Sequence, residues 1–374
     1  MPRADGVLFC GGGTGGHVLP GLAVAAELRR LGVPSLRWIG DPQRIEAKLV
    51  PAAGIELMPF GLDRPRPWNP LWLLRACRQT WRSWQELRRR PPTAIVALGG
   101  YAALLPGLLA PLLRRPLVVM EQNAYAGRTN RLLARFARLT VTQFPQAALR
   151  LPVGKVRQWG NPVRPIRNLP RGGAPTFTVL VVGGSLAAKS LNDLVALAAE
   201  RLARIPGLHL IHCAGEQDCS RVEGIYRSYG LSAEVHGYVA DMPSLYDRID
   251  LAVTRAGATT VAELCAAGIG AIYIPLPWAA DDHQTANAGA VAALGGAITH
   301  QQRELTPQLL ADDLEALAAD RSRVAAMGVA ARLLARPEAA LRVARTVLRL
   351  GRRDAGRKAA ARSRFRAMLM GSVQ

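Results

Sequence analysis

Two glycine-rich turns, about half the chain apart, constrain what this sequence can fold into more than any other feature. The first follows the apolar run Val7-Leu8-Phe9-Cys10 and reads Gly11-Gly12-Gly13-Thr14-Gly15-Gly16-His17, ahead of an apolar helical stretch from Gly21 to Leu31. The second follows Val179-Leu180-Val181-Val182 and reads Gly183-Gly184-Ser185. Glycine lets backbone N–H groups approach an anion, and the helix behind such a turn presents its positive end to a phosphate. Two strand-turn-helix units of this kind imply two phosphate-bearing ligands, or one ligand held between two domains.

Around these turns, apolar runs alternate with amphipathic stretches, the βαβα pattern of parallel sheets covered on both faces. Strands are expected at 7–10, 36–39, 94–98, 117–120 and 139–142, then at 176–182, 209–213, 233–236, 251–254 and 271–274. A Pro, Arg and Gly-rich stretch at 164–175 reads as a linker. The expected fold class is α/β, with two doubly wound Rossmann-like domains facing across a cleft. A length of 374 residues fits two domains. Their expected extents are 1–163, completed by a C-terminal helix at 340–374, and 164–339.

The first turn formally matches the dinucleotide fingerprint as Gly11-x-Gly13-x-x-Gly16, with Asp41 at the end of the next strand as the ribose-binding acid. An NAD or FAD enzyme is therefore one reading. It leaves His17 and the second glycine turn unexplained.

No long apolar stretch opens the chain at 1–6, and no apolar run approaches the roughly 20 residues needed to span a bilayer, so a cytosolic location is expected. The five cysteines are scattered without metal-ligand spacing and read as reduced, mostly buried thiols. Lys and Arg total 48 against 27 Asp and Glu, a formal charge of +21, which favours nucleic acid, anionic lipid or a phosphorylated substrate. No nucleic-acid recognition module is apparent, so no nucleic-acid partner is expected. Residues 64–90 concentrate Trp68, Trp72, Trp81 and Trp84 with Leu71, Leu73, Leu74 and eight arginines, among them Arg75, Arg78, Arg82 and Arg88. That combination suits the headgroup boundary of an anionic membrane; a helix packed on a sheet is the alternative. The tail beyond residue 329 is helical in pattern and dense in arginine, with its order open beyond Gly351.

Further motifs occur in a fixed order: Gly99-Gly100-Tyr101, Glu121-Gln122-Asn123 with Gly127 and Asn130, Gly160-Asn161-Pro162-Val163-Arg164, Val239-x-Asp241-Met242, Arg255-x-Gly257-Ala258-x-Thr260-Val261-x-Glu263, and Asp282-His283-Gln284-x-x-Asn287-Ala288. Together with the two glycine turns they resemble the MurG family of peptidoglycan N-acetylglucosaminyltransferases, two-domain enzymes of the GT-B fold, over about residues 7–340. The resemblance implies inverting, metal-independent transfer of N-acetylglucosamine from UDP-N-acetylglucosamine to undecaprenyl-pyrophosphoryl-MurNAc-pentapeptide (lipid I), giving lipid II, with no cofactor. It implies an N-terminal domain for the acceptor and the cytoplasmic face of the membrane, a C-terminal domain for the donor, and other cell-wall synthesis proteins as partners.

By the same resemblance, Val239 packs on uracil, Glu263 binds the ribose hydroxyls, and Gln284 and Asn123 hold the sugar. Thr14, Gly15 and Gly16 border the cleft, and the run Ala258, Thr259, Thr260, Val261, Ala262 lines the nucleotide. Ser185, Thr259, Thr260 and Arg164 fit a diphosphate leaving group in a metal-free site. His17 is the candidate base, with Glu121 second.

Other readings of these residues stand beside that one. Thr260-x-x-Glu263 is also a capping box, Gln284 and Asn287 could cap a helix, and Arg164 could be a solvated charge. Tyr101 could equally be core. His209, His212 and His300 read as structural. The chain also departs from the family at Met120, usually His, at Leu186-Ala187-Ala188, usually Gln-Gly-Ala, and at Ala256, usually Ser. A UDP-N-acetylglucosamine epimerase, another UDP-sugar transferase and a non-catalytic binding homologue are therefore the alternatives.

Overall fold

The computed structural model describes residues 6–62, 68–166, 176–184, 188–239, 241–279 and 282–371. Most of the expected linker, and Ser185, Leu186 and Ala187, lie outside the described residues. The chain divides into two compact units: residues 1–122, 126–162 and 338–374 form unit 1, and residues 123–125 and 163–337 form unit 2.

Unit 1 runs β1 (Val7–Cys10), α1 (Gly15–Arg30), β2 (Leu36–Gly40), α2 (Glu46–Ala52), β3 (Glu56–Pro59), α3 (Pro70–Arg89), β4 (Ala94–Ala97), α4 (Tyr101–Leu112), β5 (Leu117–Glu121), α5 (Arg128–Ala134), β6 (Leu139–Thr142), α6 (Pro145–Ala148) and β7 (Val156–Arg157). Unit 2 runs β8 (Phe177–Val182), α7 (Ala188–Leu197), α8 (Ala199–Leu202), β9 (Leu208–Cys213), α9 (Cys219–Ser228), β10 (Ala233–His236), α10 (Met242–Tyr246), β11 (Leu251–Thr254), α11 (Ala258–Ala267), β12 (Gly270–Tyr273), α12 (His283–Ala292), β13 (Ala297–Thr299), α13 (Pro307–Ala319) and α14 (Arg321–Arg332). The last helix, α15 (Ala339–Gly371), belongs to unit 1 and continues through Gly351.

Both sheets are parallel and doubly wound. Their orders are β3-β2-β1-β4-β5-β6-β7 and β10-β9-β8-β11-β12-β13. All ten expected strands are present within a residue or two, and three more exist: β3, β7 and β13, each at the edge of a sheet. Central strands such as β1 and β4 are buried along their whole length, so they read as continuous apolar runs. Successive side chains serve opposite faces. In β1, Val7 and Phe9 join the cluster that contains Val343, Ala344 and Val347 of α15, while Leu8 and Cys10 join Leu109 and Ala110 of α4. Helix α15 thus completes one face of the N-terminal sheet, and fully burying each of its two valines contributes about 1.5–3 kcal/mol.

All five cysteines are free; Cys10 and Cys265 are buried, whereas Cys77 is exposed on α3. The histidines expected to be structural have local partners: His209 meets Ser232 and Glu234, and His300 meets Asp313 at 2.6 Å.

Unit 2 contains one buried polar network with a defined protonation. The Asn192 amide donates to Ala214 O and Asp218 Oδ2, so its Oδ1 is an acceptor and His212 Nε2, at 2.9 Å, must carry the proton. The Tyr226 hydroxyl then donates to His212 Nδ1 at 2.6 Å. Burial pushes the His212 imidazole down to about 4. Because the unfolded chain takes up this proton near pH 6.5 and the folded chain does not, stability falls as pH drops through the interval between those values. Acidification from pH 7 to 5 should remove about 2 kcal/mol through this residue. Urea unfolding of His212→Gln across that range should show a shallower pH dependence by that amount; an unchanged slope would place the acid sensitivity elsewhere.

Candidate active site

In a doubly wound sheet, the crevice at the carboxyl ends of the strands opens where the strand order reverses, between β1 and β4 in unit 1 and between β8 and β11 in unit 2. Both glycine turns follow a strand at such a point.

In unit 1, Gly11 and Gly13 have φ of +123° and +90°, a region open to glycine but rarely to other residues. The turn does not await a phosphate. The Glu46 carboxylate, fully buried at the start of α2, accepts from Gly13 N at 2.9 and 3.1 Å and from Asp41 N at 3.0 Å. A side chain at Gly12 would overlap that carboxylate at 2.3 Å. Glu46 thereby takes the Gly13 amide, one of the donors on which the dinucleotide reading depends. Asp41 meanwhile caps its own loop through Gln43 N at 2.9 Å.

The residues beyond the turn converge differently. Thr14 is the exposed N-cap of α1, Gly15 and Gly16 form its first turn, and His17 follows half-buried. The His17 ring lies against Gly99 and Gly100, which close β4 with φ of +96° and +75°; a side chain at Gly99 would come within 3.0 Å of it. Gln122 is buried and donates through Nε2 to Leu98 O at 3.0 Å, which fixes its amide orientation. Its Oε1 therefore faces His17 Nδ1 as an acceptor at 3.2 Å, so Nδ1 carries the proton and Nε2 is the basic nitrogen.

Glu121, the second candidate base, is buried, and its Oε2 accepts from Asn130 Nδ2 at 2.9 Å and Gly127 N at 3.0 Å, closing the loop into α5. Met120 belongs to the apolar core, so that departure from the family changes packing. Tyr101 is exposed at the start of α4.

In unit 2, Gly184 has φ +70° with no described residue within 4 Å of where a side chain would stand, and the start of α7 follows. Ser185 lies outside the described residues. Helix α11 starts at Ala258 with Gly257 as its N-cap and no side chain capping it, which rules out a capping box from Thr260 to Glu263. Glu263 is buried instead among functional groups. Its Oε2 accepts from the Tyr246 hydroxyl at 2.7 Å, and its Oε1, with Arg164 Nη2 at 3.8 Å, is a buried oxygen with no hydrogen bond. Burial raises the Glu263 pKa, with Tyr246 and Arg164 opposing. Arg164 is half-buried beside this carboxylate, which distinguishes it from a solvated charge.

Thr259 and Thr260 lie at the opening turn of α11, while Ala258, Val261 and Ala262 are buried and offer no polar side chain. Val239 is half-buried in the loop after β10. Gln284 Oε1 accepts from Leu276 N at 3.0 Å and pins the loop after β12 to α12. Asp282, not Gln284 or Asn287, precedes that helix.

Asn287, read from the sequence as a motif member or a helix cap, caps neither end of α12 and lies inside it. It is fully buried: Oδ1 accepts from Ala124 N at 2.7 Å, and Nδ2 donates to Ala256 O at 3.0 Å and Asn123 Oδ1 at 3.2 Å. It thereby fixes the orientation of the Asn123 amide. Arg255 is likewise buried, donating to Ile274 O, Ser190 Oγ and Gln302 Oε1, and its pKa falls to about 10 by burial.

These features define a class: a two-domain nucleotide-sugar glycosyltransferase of the GT-B fold. The models of the glycosyltransferase family 28 N-terminal and C-terminal domains match residues 7–142 and 178–343. The chain belongs to the MurG family within that class. It is 44% identical over 356 residues, covering 91% of this chain and 98% of the relative, to the UDP-N-acetylglucosamine--N-acetylmuramyl-(pentapeptide) pyrophosphoryl-undecaprenol N-acetylglucosamine transferase of Alkalilimnicola ehrlichii. The protein of the same name from Bordetella pertussis is 41% identical over 91% of this chain and 96% of its own length. The crystal structure of Acinetobacter baumannii MurG matches with a TM-score of 0.77 and 33% identity, over 92% of this chain and 99% of that one. A UDP-N-acetylglucosamine 2-epimerase structure from Listeria monocytogenes, at 11% identity and a TM-score of 0.66, shares the fold alone.

The Tyr246–Glu263 bond gives a direct test of this geometry. Tyr246→Phe should cost about 1.5–3 kcal/mol of stability, the range for a hydrogen bond to a charged group, and should raise the Glu263 pKa further. Chemical denaturation checks the first and carboxyl NMR the second; an unmoved pKa would mean the bond is not formed.

Proposed function

We infer that this protein transfers N-acetylglucosamine from UDP-N-acetylglucosamine to lipid I, giving lipid II in peptidoglycan biosynthesis. The observation that carries the reading is the 44% identity maintained over nearly the whole length of a relative bearing that name. Two polar groups at the switch points support it: a base nitrogen on His17 and a buried carboxylate oxygen on Glu263.

We assign the donor to the C-terminal domain and the acceptor to the N-terminal domain, with boundaries near 163 and 340. Glu263 Oε1 accepts a ribose hydroxyl, supplying the missing bond of a buried oxygen. Val239 packs on uracil, and Asn123 and Gln284 orient the sugar. In one inverting displacement the acceptor hydroxyl oxygen bonds to the anomeric carbon as the bond to the UDP diphosphate breaks. The hydroxyl proton passes to His17 Nε2, while Thr14, Gly15 and Gly16 flank the acceptor. Charge on the departing diphosphate falls to Arg164, the hydroxyls of Ser185, Thr259 and Thr260, and the amide end of α11, an arrangement that functions without a metal.

Radiolabelled UDP-N-acetylglucosamine with and without a lipid I analogue tests the whole reading. Lipid-dependent transfer supports it, and a mannosamine product without lipid supports the epimerase. In the same assay His17→Ala should lower kcat at least about 100-fold with donor binding nearly unchanged. Glu263→Gln should instead weaken UDP binding roughly 10- to 150-fold. A His17 variant retaining more than about a tenth of parental turnover would remove it as the base.

We assign a peripheral position at the cytoplasmic face of the membrane. Among the described residues no helix is long and apolar enough to cross a bilayer. Helix α3 is capped by Asn69, whose Oδ1 accepts from Leu71 N and Trp72 N. It buries Ala76, Ser83 and Leu87, the last in one cluster with Ile39 of β2 and Ile95 of β4, and leaves Leu71, Leu74 and Trp81 exposed, with Trp68 80% exposed just before it. Trp72 and Trp84 are half-buried, so the outer face is carried by fewer tryptophans than the sequence offered. Exposed Arg75, Arg78 and Arg82 lie among these apolar groups. Replacing Trp68, Leu71, Leu74 and Trp81 with serine should reduce binding to phosphatidylglycerol vesicles by about tenfold or more, while turnover of a short-chain soluble acceptor stays near parental. Undiminished vesicle binding would place the membrane surface elsewhere.

A further inference from the structure

The C-terminal helix carries a second basic feature that neither the transfer chemistry nor α3 uses. Arg345, Leu348, Arg349, Arg352 and Arg353 recur at helical spacing along one side of α15, and with Leu31 at the end of α1 they line an open groove of about 370 Å³. The four arginines are exposed. Among the described residues none of them has a carboxylate within ion-pair distance, and Arg349 meets only the Thr346 hydroxyl at 3.2 Å. Elsewhere arginines are neutralised by neighbours: Arg90 is paired with Glu56 and Glu86, and Arg221 with Asp193 and Asp218.

We propose that this groove between α1 and α15 binds the phosphate headgroup of an anionic phospholipid, giving the N-terminal unit a second membrane contact. Four guanidinium groups around one concavity suit a phosphate oxyanion, which takes their planar forks bidentately. The carbonyl end of α1 at the same groove opposes an anion by at most roughly half a charge, far less than four cations supply. Leu31, 37% exposed, and Leu348 give the groove an apolar edge that a soluble phosphate would not use and a glycerolipid would.

The surroundings match. Gly351 packs against Thr93 at the entry to β4, and α3 ends only a few residues before Thr93, so the groove, on the face that α1 and α15 cover, lies at the same end of the sheet as Arg88 and Arg89. Downstream, the sequence of α15 adds Arg357, Lys358, Arg362, Arg364 and Arg366. The proposal rests on the membrane-surface reading of this protein.

The test compares the parent with a variant in which Arg345, Arg349, Arg352 and Arg353 are all glutamine, using phosphatidylcholine vesicles with and without phosphatidylglycerol. Each arginine near an anionic surface is worth roughly a fivefold change, so the variant should bind anionic vesicles at least about tenfold more weakly, with unaltered melting and unaltered turnover of a soluble acceptor. The four-lysine variant should retain most binding. Replacing four exposed arginines of unit 2, Arg201, Arg204, Arg227 and Arg303, with glutamine should have little effect. Equal losses in the two glutamine variants would mean that net charge, not a site, is responsible and would overturn the proposal. So would parental vesicle binding by the groove variant. Calorimetric binding of inorganic phosphate that the groove variant loses while vesicle binding persists would reassign the groove to a soluble ligand. A parent protein that ignores anionic vesicles would overturn the membrane reading itself, an outcome distinct from failure of the groove alone.

Discussion

A parallel strand covered on both faces can hold no solvated chemistry along its length, and this constraint arranges everything else in the molecule. Polar function is pushed to the carboxyl ends of the strands, and the reversal of strand order there leaves room for it. The two units obey this independently. In each, the first strand and its neighbour across the reversal end in glycines, or in a glycine-capped helix start, that keep side chains out of the way: Gly11–Gly13 and Gly99–Gly100 in one, Gly183–Gly184 and Gly257 in the other.

The same architecture is then used for unlike purposes. In unit 1 the turn is closed by the chain's own carboxylate, since Glu46 takes the Gly13 amide that a ligand phosphate would otherwise meet. A buried carboxylate of this kind is stabilised only while its donors are present, so the turn and the start of α2 are mutually dependent. In unit 2 no such internal anion is seen among the described residues around Gly184, and the N-cap of α11 is a glycine, Gly257, which has no side chain to cap the helix. The two glycine turns therefore differ in their surroundings, although their sequences look alike.

What the sequence made legible follows from the same physics. The ten strands it revealed include every central one, because burial on both faces writes a continuous apolar run. The three it concealed, β3, β7 and β13, are edge strands half in contact with water, and Glu56 and Arg157 within them interrupt any such run. The glycine turns, His17 and Glu263 were visible as motifs. Their supporting roles were not: Glu46 and Tyr246 stand outside every motif, and Gln122 and Asn287 stand inside motifs whose spacing does not announce a partner more than a hundred residues away. The capping-box spacing at Thr260 and Glu263 was true of the sequence, but the N-cap of the helix lies three residues earlier, at Gly257, and the spacing has no structural meaning.

Those unseen supports decide what the visible residues can do. A histidine near neutral pH offers either ring nitrogen as a base, and only a fixed neighbour selects one. Here Leu98 O orients the Gln122 amide, the amide oxygen holds the proton on His17 Nδ1, and the lone pair is left on Nε2. Asn287 acts similarly on Asn123, whose Oδ1 accepts its amide, leaving the Asn123 amide nitrogen as the group that can donate. In both cases a fully buried amide, unable to exchange partners with water, sets the polarity of a more exposed group. The buried partner therefore sets which atoms of its neighbour can donate and which can accept.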